Sequence, residues 1–304
     1  MRCWGCVPDF NFFLFCLYYF LYYVSSITIH LNERGELYYM SHPNIWTENF
    51  FGTRGGHIRY FRTGGDKPSL LLLHGAMSNG LCWSRVAKSL ELDFDVILPD
   101  ARGHGKSVSH QQDYSLFELV EDTAELITHL QIAPVIVMGH SMGAQMATEL
   151  GARYPDLVKK LVLEDPGYYF KNPSFFTLLS YNWIIRRNKR RDLSQIRKCC
   201  DKLNRGWHEE DKLSWVVAQK QFAENGGKFS KSFDPKREWH LIFPKVKVPT
   251  LLIVSENGII TRSEAAQYII EFGAASYEYI EAAGHIIHCD NFEVFMATVR
   301  AFLG

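Results

Sequence analysis

At 304 residues, 47% of them hydrophobic, the chain is long enough to bury a large α/β core. Its 33 basic and 33 acidic residues give a formal net charge of zero, which leaves no electrostatic case for nucleic acid, and no nucleic-acid motif is evident. Seven cysteines lack the spacing of a disulfide framework, and no His/Cys/Asp grouping has metal-ligand spacing, so neither metal nor cofactor is expected.

The first feature in chain order is apolar. From Phe10 to Ile29 the sequence is almost uninterrupted Phe, Tyr, Leu, Val and Ile, with no charge after Asp9. About twenty such residues suffice to span a bilayer. Residues 1–45 are therefore set apart as an N-terminal extension. A membrane anchor and a secretory signal ending near Ser25-Ser26 both fit it, although Arg2 is its only positive charge and its many tyrosines weigh against both. An unstructured extension is the competing expectation, ranked behind targeting. The scattered cysteines of the remainder suit a reducing, cytoplasmic compartment.

Ser69-Leu70-Leu71-Leu72-Leu73-His74-Gly75-Ala76 is a continuous apolar run ending in His-Gly, the pattern of a parallel strand buried on both faces. Its exit loop belongs at the carboxyl edge of a sheet, where ligands sit. His74 is expected to be a packed loop residue bonded to backbone. Asp95 to Pro99 reads as another strand, followed by Asp100-Ala101-Arg102-Gly103-His104-Gly105-Lys106-Ser107. The Gly-x-x-x-x-Gly-Lys-Ser/Thr spacing of a phosphate loop is absent, so nucleotide binding is rejected and Asp100 and His104 are expected to shape the loop.

Pro134 to Met138 is a short apolar strand that runs into Gly139-His140-Ser141-Met142-Gly143 and then into helix-forming residues up to Arg153. Strand, Gly-x-Ser-x-Gly turn and helix form a nucleophile elbow. Such an apex is strained, and is tolerable only if the residues two places either side lack side chains. Gly139 and Gly143 meet that condition. The following helix directs its free N–H groups at the place where an oxyanion would form.

A strand over Lys160 to Leu163 leads into Glu164-Asp165-Pro166. About 80 residues of different character follow, Gly167 to Lys247, carrying Tyr168, Phe175, Phe176, Trp183, Trp207, Trp215, Phe222 and Trp239 among polar helix formers. These aromatic residues could line an apolar pocket or pack the segment onto the core. Arg186 to Arg191 is most simply a solvated helix face. A strand over Pro249 to Val254 comes next, then a late strand ending at Gly284-His285, and an amphipathic helix from about Asn291 to Leu303. His285 stands after the serine, as the last member of a Ser…acid…His order; His288 is its competitor and ranks second.

Taken together, His74-Gly75, Asp100-x-Arg102-Gly103-His104-Gly105-x-Ser107, the serine pentapeptide, Leu163-Glu164-Asp165-Pro166 and Gly284-His285 resemble the α/β-hydrolase superfamily over about residues 50 to 304. The resemblance implies an eight-stranded, mostly parallel sheet with helices on both faces and a helical cap inserted after strand six. It divides the chain into a core, 46–166 and 244–304, and a cap, 167–243. It further implies Ser141 as nucleophile, His285 as base, and the N–H groups of Ala76 and Met142 as oxyanion donors.

The acid departs from the commoner pattern. Most members carry it after strand seven in a Gly-x-x-Asp context, and here that position falls on Gly258. Some place it after strand six, where Asp165 stands about two dozen residues beyond Ser141. Asp165 is therefore the first candidate, Glu256 the second and Glu164 the third; a capping residue is the alternative role for Asp165. The expected activity is hydrolysis of a small carboxylic ester or lactone. A carbon–carbon bond hydrolase of the same fold and a non-catalytic binding protein on that scaffold are the alternatives.

Overall fold

The computed structural model describes residues 46–109, 115–168, 175–225 and 237–304, together with the backbone of 30–31 and 37–38. The apolar stretch over 10–29, with Cys3, Cys6 and Cys16, lies outside the described residues. Two compact units separate between Trp46 and Thr47. Of the first, the described backbone is one antiparallel pairing of His30–Leu31 with Leu37–Tyr38. Among the described residues no helix is long and apolar enough to cross a membrane.

The second unit is built on eight strands: β1 (Thr47–Thr53), β2 (Gly56–Arg62), β3 (Ser69–Leu73), β4 (Asp95–Pro99), β5 (Val135–His140), β6 (Val158–Glu164), β7 (Thr250–Asn257) and β8 (Ala275–Gly284). Their spatial order is β1-β2-β4-β3-β5-β6-β7-β8, with the short Val108–Ser109 segment pairing on β2 as a ninth strand. β1 and β2 run antiparallel to their neighbours; from β4 through β8 every pairing is parallel.

The four leucines of β3 are all at most 2% exposed, which requires cover on both faces of the sheet. Leu71 and Leu73 join Val137, Leu161 and Leu163 in one core cluster. That cluster is closed by α2 (Leu116–Leu130), α3 (Met142–Arg153) and α7 (Arg262–Phe272). Leu70, Leu72, Ile136 and Met138 alternate to the opposite face and are equally buried. Local chemistry fixes the helix ends: Thr261 and Glu264 form a capping box before α7, and Gly273 closes it at φ 73°.

Between β6 and β7 the chain forms α4 (Phe175–Arg190), α5 (Leu193–Leu203) and α6 (Glu209–Glu224), within the same compact unit as the sheet. Polar contacts tie α6 to the loop after β3: Gln219 Nε2 donates to the Met77 carbonyl at 3.1 Å, and Asn79 Nδ2 donates to Gln221 Oε1 at 2.9 Å. The short α1 (Ser84–Leu90) precedes β4, and α8 (Ile287–Asp290) and α9 (Phe292–Leu303) end the chain.

The glycines around Ser141 are there for space. A Cβ on Gly139 would collide with the Gly143 carbonyl, and one on Gly143 would collide with the Leu73 carbonyl. Both obstacles are backbone and cannot swing aside. Gly143→Ala is therefore expected to destabilise the fold by about 1–3 kcal/mol or more. An unchanged urea midpoint would contradict the close approach of α3 to β3.

Candidate active site

The parallel register brings the predicted residues to one edge. Gly139 pairs with Leu163 and His140 with Glu164, so Ser141 and Asp165 leave adjacent strands at the same level. The Ser141 N–H donates to the Glu164 carbonyl at 3.0 Å, and the Asp165 N–H to the Ile253 carbonyl at 2.8 Å. Ser141 has φ 52° and ψ −111°, an unfavourable conformation for a residue with a side chain. It caps the N-terminus of α3, where the first N–H groups, Met142 among them, have no intrahelical acceptor.

Asp165 is fully buried and also has positive φ, 37°. Its Oδ2 lies 2.7 Å from His285 Nδ1 and accepts from the Ile259 N–H at 2.7 Å; its Oδ1 accepts from the Ile260 N–H at 3.1 Å. Three donors thus converge on one carboxylate. Gly258, where most relatives by resemblance carry the acid, now has a physical explanation: a Cβ there would sit 2.8 Å from Asp165 Oδ1. A side chain at position 258 would therefore press on the Asp165 carboxylate.

The two remaining acid candidates point elsewhere. Glu256 Oε2 accepts the Ala282 N–H at 3.1 Å on the surface. Glu164 is fully buried against His288, whose Nδ1 lies 2.7 and 2.9 Å from its two oxygens and whose N–H donates to Oε1 at 2.9 Å. The two histidines proposed from sequence therefore each have a carboxylate.

His285 is half-exposed, and its backbone is fixed from two sides. His140 Nε2 lies 2.9 Å from the His285 carbonyl, and Ser255 Oγ donates to the Gly284 carbonyl at 2.7 Å. Because a carbonyl only accepts, His140 carries its proton on Nε2. Burial pushes its pKa down to about 3, so the ring is neutral at physiological pH. The sequence did not point to this role for His140; its only mark was its place inside the pentapeptide. Gly75 completes the arrangement, since a Cβ there would lie 2.6 Å from His140 Nδ1 and 3.4 Å from the Ser141 Cβ.

His74 and Asp100 shape loops, as expected. The Ala101 N–H donates to His74 Nε2 at 2.9 Å while Nδ1 donates to the Gly75 carbonyl at 2.8 Å, and burial lowers the His74 pKa to about 4. Asp100 accepts from Arg59 Nε at 2.6 Å and from the Gly80 and Lys106 N–H groups at 2.8 Å each.

Ser141, Ala76 and His285 line one cavity of about 470 Å³, together with residues of α4, α5 and α6. Of the aromatic residues described between β6 and β7, Tyr181, Trp207 and Trp215 line this cavity. Trp239 instead packs on Tyr168 and Phe243 in the core, and Trp183 is exposed with the Arg187 guanidinium 4.7 Å over its ring. Arg187 also lines the cavity, which corrects the expectation that the whole 186–191 cluster is a solvated face. The cysteines Cys82, Cys199, Cys200 and Cys289 are free, and among the described residues no group of His, Cys, Asp or Glu is placed to hold a metal ion.

The Glu164–His288 pair is expected to contribute to stability. Burial opposes charge on both partners, but their mutual attraction outweighs it, holding Glu164 below and His288 above its ordinary pKa. The Glu164 contribution is present above the ordinary carboxylate pKa and is lost as pH falls through its lowered folded value. That of His288 is present below the ordinary imidazole pKa and is lost as pH rises through its raised folded value. Glu164→Gln should cost about 3–5 kcal/mol at neutral pH, because it removes the partner of a buried pair. Urea titrations from pH 4 to 9 test this; identical pH profiles for the two proteins would contradict it.

A strained serine at a helix N-terminus shares a cavity with His285, the histidine of a His–Asp pair at the carboxyl edge of a parallel sheet. The family model of the alpha/beta hydrolase fold matches residues 68–292, and the chain belongs to that family of hydrolases. An uncharacterized protein of Mycobacterium tuberculosis is 37% identical over 117 residues, 38% of this chain and 34% of that protein, so the match spans about a third of that relative's length. The sn-1-specific diacylglycerol lipase of Mus musculus is 27% identical over 258 residues, 78% of this chain and 81% of the lipase. Among solved structures, the N-formylmaleamic acid deformylase of Pseudomonas putida superposes with a TM-score of 0.71 at 26% identity, covering 83% of this chain and 100% of that one.

Proposed function

We propose that the protein is a serine hydrolase that cleaves a carboxylic ester or lactone of a small, largely apolar substrate through an acyl-enzyme. The observation that carries this reading is the 2.7 Å contact between Asp165 Oδ2 and His285 Nδ1, in a cavity that His285 shares with Ser141. Asp165 fixes the tautomer that leaves His285 Nε2 free to accept a proton, and it stabilises the imidazolium that results. His285 takes the Ser141 hydroxyl proton as Oγ attacks the substrate carbonyl. The Ala76 and Met142 N–H groups stabilise the tetrahedral oxyanion, each by about 3–4 kcal/mol. Collapse expels the alkoxide, which takes the proton from His285. A water, deprotonated by the same imidazole, then attacks the acyl carbon and frees Ser141.

Serine at the apex favours an acyl substrate over an epoxide. Attack on an epoxide carbon would leave a serine ether, which has no carbonyl for water to attack. The mixed apolar and polar lining of the cavity, and similarity to a lipase over most of the chain, support an ester. Helices α4 to α6, within 167–243, act in this reading as the cap that bounds the acyl pocket. The test is a panel holding a short-chain aryl ester, a γ-lactone, an N-formyl amide and a vinylogous diketone. Saturable turnover of the ester or lactone is expected; turnover of the diketone alone would replace ester cleavage with carbon–carbon cleavage.

A further inference from the structure

His288 is held as firmly as His285, yet the proposed reaction makes no use of it. Glu164 grips its Nδ1, Trp83 stacks on its ring at 4.2 Å, and Phe295 lies 5.9 Å away. The ring is only 4% exposed, and it lines the same cavity as Ser141 and His285, with the neutral His140 between the two imidazoles. Its remaining nitrogen, Nε2, is buried and has no hydrogen-bond partner among the described residues. A buried polar atom of this kind is rare in native structures and costs free energy until something pairs with it.

A second polar group faces the same space. Asp211 of α6 is 3% exposed, lines the cavity, and is contacted from outside by Arg85 at 3.4 Å. Burial raises its pKa, and among its charged neighbours His288 acts on it most strongly in the opposite direction. Among the described residues, however, no hydrogen bond or ion pair joins the two side chains. They are close enough to feel each other and too far apart to touch.

The other groups around this point narrow what fits. Glu164 and Arg85 neutralise His288 and Asp211 respectively; Cys82 and Cys289 have thiol pKa values raised by burial and stay uncharged at neutral pH. Asp290 accepts from Trp207 Nε1 and the Gly284 N–H. A carboxylate entering here would meet Asp211 and Glu164, and an ammonium would meet His288 whenever that ring is protonated. A hydroxyl suits both walls, accepting from Nε2–H and donating to the Asp211 carboxylate; if His288 is neutral, the hydroxyl can instead donate to Nε2.

We propose that His288 and Asp211 form a subsite for a hydroxyl group of the substrate, so that the protein takes hydroxylated esters in preference to plain alkyl ones. This rests on the ester-hydrolase reading above. Two pairs of esters that differ by hydroxyl against methyl test it: 4-nitrophenyl 6-hydroxyhexanoate against heptanoate for the acyl side, and 3-hydroxypropyl against butyl hexanoate for the alcohol side. In the wild-type full chain, kcat/KM should favour the hydroxylated member of one pair by roughly 10- to 100-fold, the range of a charge-assisted hydrogen bond.

Asp211→Leu should bring that ratio within about threefold of unity, and so should His288→Phe combined with Glu164→Gln, which avoids a stranded carboxylate. Fluorophosphonate labelling of Ser141 reports whether each variant remains folded and active. Labelling with equal rates in both wild-type pairs overturns the subsite and leaves ester hydrolysis standing, as does a preference that Asp211→Leu retains. No labelling and no turnover of any ester overturns both.

Discussion

Replacing Ser141 with alanine is expected to lower turnover of a short-chain aryl ester by a factor on the order of 10⁴ to 10⁶, with an unfolding midpoint close to that of the wild type. The loss is large because no other hydroxyl stands at the head of α3. The stability effect is small because alanine keeps the Cβ, and because Ser141 Oγ is not part of the cap of α3. Residual hydrolysis would come from the oxyanion donors alone, which can still polarise a carbonyl towards water. Ser141→Ala protein that hydrolyses the ester within tenfold of the wild type would remove serine from the mechanism.

The second large effect belongs to Asp165. Asp165→Asn should reduce kcat by about 10³ to 10⁴, because the amide stabilises the wrong tautomer of His285 and cannot balance an imidazolium. The same substitution weakens the hold on the Ile259 and Ile260 N–H groups, so stability should fall as well. The geometry at Gly258 supplies a sharper form of the experiment. Gly258→Asp alone should be inactive or poorly folded, since its Cβ would press on the Asp165 carboxylate. Asp165→Gly combined with Gly258→Asp should recover at least tenfold over Asp165→Gly, because glycine accepts the positive φ at 165 and the new carboxylate starts from the vacated space. No recovery in a folded double variant would contradict the equivalence of the two positions.

Much of this fold was legible in the residues themselves. Four consecutive leucines before His74 read as a strand covered on both faces, and β3 is that strand. The glycines two places either side of Ser141 announced a backbone too crowded for side chains, and the carbonyls of Gly143 and Leu73 supply the crowding. The choice of Asp165 over Glu256 rested on resemblance, because spacing along the chain says nothing about where a carboxylate points. Only the register of β5, β6 and β7 puts the loop after β6 beside the loop holding Gly258.

What sequence reasoning missed has a common cause. His140 and the Glu164–His288 pair act across 145 and 124 residues of chain, through contacts that exist only after β5, β6 and the segment after β8 are assembled. In the sequence Glu164 and His288 stand as competitors of Asp165 and His285; in the structure they pair with each other beside Trp83. Arg187 was hidden for a different reason. A run of six residues containing five cations suggests one solvated face, but a helix distributes consecutive residues around its axis, and α4 turns Arg187 towards the cavity.

In the proposed reaction His285, aligned by Asp165, activates the hydroxyl of Ser141. Reaction with a fluorophosphonate, followed by peptide mapping, tests it without knowledge of the substrate. The wild-type protein should carry one adduct, on the peptide containing Ser141, and His285→Ala should react at least a hundredfold more slowly. Absence of an adduct on Ser141, or equal labelling of the two proteins, would contradict activation of Ser141 by His285.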